Sequence, residues 1–191
     1  MKVDKSIVAS FILLVVISSL YRIIPNRPFG FAPQIAIALF SGSIVKDKKL
    51  AFLMPLFSML LSDIIYEILY SYHISPIKGF YNGQWINYLL FCAITIIGFF
   101  IQQSKITHIA AGSVAGVLFY FFASNFAVWI GGGLGINNLP YAKSLQGLTE
   151  CLAAGIPFLK GSFMATAIFS TILFAGYKLF NAGFNKQLAI A

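Results

Sequence analysis

The chain has 191 residues, of which 59% are hydrophobic and only 9% charged. A soluble domain carries roughly 25% charged residues, so this chain lacks the polar surface of a water-soluble globule and reads as one all-α integral membrane domain over 1–191. The net charge of +8 does not make it a nucleic-acid binder, because its 13 Lys and Arg sit at segment ends, as topology signals do, and form no basic stripe.

A bilayer core about 30 Å thick needs about 20 apolar residues per helix. Six runs come near that length, at about 6–24, 30–45, 50–71, 86–102, 106–131 and 158–180. The first follows a basic start, "MKVDK", as in a signal peptide. No Ala-x-Ala cleavage pattern comes after it, so it is expected to stay as a first span. The second run is short and starts at Pro33, where a missing N–H costs nothing. In it, "AIALFSGS" sets Ala38 and Gly42 four residues apart. Small residues at that spacing let helices approach closely, either within this chain or against a second membrane subunit. Pro55 lies early in the third run and can kink it.

Asp63 and Glu67 follow, four apart and therefore on one helix face. At 1.5 Å per residue they lie roughly 20 Å and 25 Å from the start of the run. The fourth run is also short. It carries Trp85 and Asn87 at its start and Cys92 deeper in. A soft thiolate at Cys92 could meet a metal-bearing ligand, although an apolar cysteine is commonly packing. The fifth run repeats the small-residue spacing at Gly112 and Gly116, then carries Asn125 and Trp129 near its far end. Segment 132–157 is too polar and Gly-rich to span. An external capping loop is expected there, with a short helix near Ser144–Ala154 ahead of the sixth run.

Orientation follows from positive charge. With the N-terminus inside, Lys2, Lys5, Lys46, Lys48, Lys49, Lys105, Lys178 and Lys186 are cytoplasmic. Arg22, Arg27, Lys78, Lys143 and Lys160 are then external, a count of eight against five. A multi-pass protein of the cytoplasmic (inner) membrane is expected, with both termini inside. On this topology the polar residues of the spans fall in the outer third: Arg22, Gln34, Asp63, Glu67, Asn87 and Asn125. Tyr66, Trp85 and Trp129 crowd the same level. Such aromatics can be an interfacial belt or can line an outward-facing cavity for a small molecule. The candidate ligand-binding set is Asp63, Glu67, Asn87, Asn125, Trp85, Trp129, Arg22 and Tyr66. A simpler role for the charges is that Arg22 or Arg27 pairs with a carboxylate.

Enzyme motifs are missing. There is no H-E-x-x-H, no G-x-S-x-G and no Walker A sequence. His73 and His108 fall on opposite sides of the expected topology, and the two cysteines have no metal-binding spacing. No catalytic residue, metal or cofactor is expected.

"RIIPNRPFGFAPQIAIALFSGSI", Arg22–Ile44, followed by "LMPLFSMLLSD", Leu53–Asp63, resembles an uncharacterised bacterial family of six-helix membrane proteins. That family in turn resembles the substrate-binding S components of energy-coupling-factor (ECF) transporters. The resemblance implies capture of a vitamin-like micronutrient at the outer face. It also implies a membrane coupling subunit and ATPases as partners, which would account for the missing Walker motif. The alternative is an autonomous transporter using Asp63 and Glu67 as proton or cation sites; a membrane enzyme is a third, weaker reading.

Overall fold

The computed structural model describes residues 5–188, with side chains over 12–180. Met1–Asp4, with Lys2, lie outside the described residues, as do the side chains of Lys5 and Lys186 that entered the charge count. The fold is all-helical: α1 (Lys5–Ile23), α2 (Gln34–Ile44), α3 (Lys48–Ser71), α4 (Trp85–Gly98), α5 (Ile106–Ile130) and α6 (Leu145–Leu188). Of these, α3, α5 and the Leu145–Phe180 part of α6 are long and apolar enough to cross a membrane, while α2 and α4 are shorter apolar helices.

The helices carry their apolar side chains outward. On α3, Phe57, Leu60, Ile64 and Ile68 are exposed, whereas Ser58, Met59, Ser62, Asp63 and Tyr66 are buried. Both sets follow helical spacing, so one face is apolar and the opposite face is partly polar. This inverts the usual soluble pattern and suits a surface covered by lipid tails.

The shortest helix sits in the middle. Every residue of α2 from Gln34 to Gly42 is buried, and α2 packs against α3, α4, α5 and α6. Its Ile35 and Leu39 meet Gly116 of α5, Phe40 meets Phe174 of α6, and Ile37 packs with Val15 and Met54. Gly42 abuts the Thr95 backbone and Gly98 of α4, so the two backbones touch. Gly112 faces the Ile101 side chain. Both small-residue faces of the sequence are thus used for packing inside this chain, and Ala38 is fully buried.

Directions alternate along the chain. Ser18 and Arg22 of α1 meet Ser58 and Ser62 of α3 at a constant offset, so that pair is parallel. In contrast, α5 and α6 run antiparallel, with Ser113 near Ser170 and Asn125 near Cys151.

One boundary differs from the sequence expectation. The short helix near Ser144–Ala154 and the sixth span are a single helix of 44 residues, with Pro157 inside it. The segment 132–157 is therefore a loop only as far as Ser144. Polar residues and Gly155 marked the stretch as non-spanning, but neither prevents a helix that extends past the apolar run. A proline removes one backbone donor and can be absorbed as a bend.

Candidate functional site

The buried strip of α3 ends in Ser62, Asp63 and Tyr66, and three other elements close on it. Asp63 is only 1% exposed. Its Oδ1 pairs with the Arg22 guanidinium at the end of α1. Its Oδ2 accepts from the Gln84 amide and from the Tyr88 hydroxyl, the latter at 2.6 Å. The same Arg22 nitrogen reaches Ser62 Oγ at 2.6 Å. Tyr66 donates to the Arg22 carbonyl at 2.7 Å, with its ring 5.8 Å from the guanidinium carbon. An isolated carboxylate at this depth would be very costly. Here each oxygen has at least one donor, and the partner charge is in contact, which is the condition under which a buried pair is tolerated.

Glu67, one turn on, does a different job. Its Oε2 accepts from the backbone N–H of Gly79 and of Phe80, both at 3.1 Å. The α3–α4 loop is thereby tied against α3. Gly79 lies so close that a Cβ there would collide with the Asp63 carbonyl. Gln84 locks the other end of the loop. Besides meeting Asp63, its Nε2 donates to the Gly79 carbonyl at 2.7 Å and its Oε1 accepts from Tyr81 N–H at 3.2 Å.

The network continues to α5. Asn87 donates to the Tyr81 hydroxyl at 2.8 Å and accepts from Tyr120 at 3.0 Å. The Tyr81 phenol is held above its ordinary pKa, chiefly by partial burial; Arg22 opposes this, Asp63 adds to it, and the Asn87 hydrogen bond opposes it.

Five of the eight sequence candidates therefore meet in one network: Arg22, Asp63, Tyr66, Glu67 and Asn87. Asn125 stands apart. It donates to its own helix at Phe121, and Cys151 donates to its carbonyl. Trp129 donates to the Ala142 carbonyl at 2.7 Å and fixes the α5–α6 loop, while Trp85 is exposed. Cys92 is half-buried. Among the described residues no group of three His, Cys, Asp or Glu could hold a metal ion. Gln84 is the member the sequence reading missed. Its signal was slight, a polar residue three before Asn87 at the edge of an apolar run.

Two hollows lie nearby. One, about 480 Å³, is lined by Lys78, Phe80, Tyr81 and Asn82. The other, about 500 Å³, is an apolar groove between α5 and α6 lined by residues such as Phe122, Phe126 and Leu152. Asp63 lines neither, so a ligand touching it would have to displace an existing partner.

A second feature lies at the start of α2. Gln34 is 3% exposed and Thr166 of α6 is 1% exposed. Among the described residues neither Gln34 Nε2 nor Oε1 has a hydrogen-bond partner, and Thr166 Oγ1 has none either. Pro33 precedes the helix and gives it no side-chain cap. Buried polar atoms are paired in the great majority of cases, so Gln34, with both amide atoms unmet, stands out at the start of α2.

No curated protein and no solved structure matches the chain. Residues 2–188 do match a family model, and the chain belongs to that family, DUF6580, a family of unknown function.

Proposed function

We propose that this protein is a membrane subunit that captures a small, vitamin-like molecule for uptake. In this reading all six helices cross the cytoplasmic membrane, both termini lie inside, and the Asp63 end faces out. One observation carries it. Buried and half-buried polar side chains from four helices and a strapped loop converge at a single end of a bundle whose exterior is apolar. Polar groups inside a membrane domain are expensive and mark substrate paths. The ion pair then frames the site, holding α1, α3 and α4 in place, while the α3–α4 loop covers it. The resemblance to S components adds a coupling subunit and ATPases as the partners that drive transport.

The autonomous-transporter reading is weaker. It needs a carboxylate free to exchange protons or cations, and both carboxylates already accept from donors on neighbouring segments.

Native mass spectrometry of gently purified protein tests the proposal. A retained small molecule is expected, together with co-purifying ATPase subunits. An empty protein that accumulates solute alone, in proteoliposomes with an imposed proton gradient, would replace this reading with the transporter.

A further inference from the structure

We infer that the first turn of α2 is the ligand contact, and that it takes a neutral molecule presenting a lactam or primary carboxamide edge to Gln34. The inference rests on the transport-subunit reading above and names the class of its ligand.

Helix register fixes which way the Gln34 side chain faces. Gln34 shares a strip of α2 with Ala38 and Ser41. On one side of it runs the strip of Ile37, packed with Val15 and Met54. On the other side is Gly42, against Thr95 and Gly98. Gln34 therefore faces the seam between α3 and α4, whose end is closed by Asp63, Gln84 and Tyr88. Being the first residue of α2, it points its side chain toward the helix N-terminus. Thr166 lies on α6, which packs against another face of α2 through Phe40 and Phe174. It shares a strip of α6 with Ser162, which donates to the Gly30 carbonyl, and with Phe169, which meets Phe31 and Tyr21 edge-on. That strip faces the segment leading into Gln34.

The chemistry of Gln34 selects the ligand. A glutamine amide has a donor and an acceptor side by side on one edge, and here both are unmet. A carboxylate would satisfy Nε2 but oppose Oε1, and an ammonium would do the reverse. A lactam or primary amide carries the complementary donor and acceptor at matching spacing and satisfies both atoms at once. Its carbonyl would also sit favourably near the positive end of the α2 dipole, where Pro33 supplies no cap. Arg22 and Asp63 neutralise each other, so the nearest charges do not call for an ionic ligand.

Three probes test this on the full chain in nanodiscs, with binding followed by saturation-transfer NMR and melting temperature. 2-Pyridone and nicotinamide carry the amide edge; 1-methyl-2-pyridone has it blocked. Saturable binding of the first two to wild type is expected. Binding roughly 10- to 100-fold weaker is expected for the blocked probe, and for 2-pyridone with Gln34→Met. Ligand-free Gln34→Met should melt at or above wild type, since it removes an unpaired buried amide. Thr166→Val, nearly isosteric, removes the other unpaired buried polar group and provides a second folded variant, which should bind nicotinamide and 2-pyridone as wild type does. Failure of both amide probes to bind wild type, or equal binding by Gln34→Met, overturns the assignment. Native mass spectrometry of the same wild-type sample separates the two ideas. A retained molecule alongside unresponsive amide probes sinks only the Gln34 contact; an empty protein that takes up solute unaided sinks the transport-subunit reading as well.

Discussion

At the Asp63 end, α1, α3, α4 and α5 meet through side chains. Arg22, Asp63, Gln84, Tyr88, Asn87 and Tyr120 reach across gaps that helix backbones leave open. At the Lys48 end, α2 and α4 close backbone to backbone, with side-chain contacts beside that crossing. Gly42 lies on Gly98, Ser43 donates to the Ile101 carbonyl at 3.0 Å, and the Lys48 ammonium sits 4.2 Å from the centre of the Phe99 ring. Side-chain contacts can exchange partners and admit a ligand with modest backbone movement. Backbone contacts through glycine allow one arrangement and leave no room. On the function proposed above, the glycine-closed end is the anchor and the Asp63 end the working end.

The largest expected effect comes from removing the centre of the side-chain network. Asp63→Ala leaves Arg22 charged and unpaired in a mostly buried position, and should cost about 3–5 kcal/mol of stability. Replacing both partners, Arg22→Met with Asp63→Leu, should recover most of that loss. Thermal unfolding in detergent reads both. An Asp63→Ala protein that melts with wild type would mean the pair does not hold this end together.

A smaller effect is expected at the glycine crossing. A Cβ on Gly98 would stand 2.5 Å from the Leu39 carbonyl oxygen and 3.0 Å from Gly42 Cα. Gly98→Ala should therefore cost about 1–3 kcal/mol by forcing α2 and α4 apart. Its melting temperature should fall while native mass spectrometry still finds the retained ligand. Loss of ligand with an unchanged melting temperature would reverse the assignment of anchor and working end.

The smallest effect is local. Glu67→Ala releases the N–H of Phe80, which is exposed and returns to water, and that of Gly79, which is buried, so global stability should drop by about 1–2 kcal/mol. Amide exchange at Gly79 and Phe80 should speed up nevertheless, whereas Glu67→Gln keeps an acceptor and should fall between. Unchanged exchange at both residues in Glu67→Ala would show that Gln84 and the Gly79 packing hold the loop by themselves.

Much of the site was legible because its chemistry is costly. Asp63 and Arg22 stand out in an apolar chain, and charges there must find each other. Glu67 was legible as polar but not as a loop strap, since its partners are backbone N–H groups that any residue could supply. Asn125 shows the opposite failure. Its depth matched that of Asn87, but it faces Cys151 and its own helix. Depth along a helix follows from residue number, whereas facing depends on how neighbouring helices pack.

Composition and apolar run length by themselves determined that the chain is helical, that its long helices can cross a bilayer, and roughly where the first five helices lie, because bilayer thickness and helix rise leave few alternatives. Only the structure decided that α6 begins at Leu145. Only the tertiary structure decided that the short α2 occupies the centre, that Gly42 is spent on Gly98 within the chain, and that Gln34 is buried without a partner among the described residues. Those facts depend on which faces meet across distant parts of the sequence. Helix periodicity says which residues share a face, but not what that face will touch.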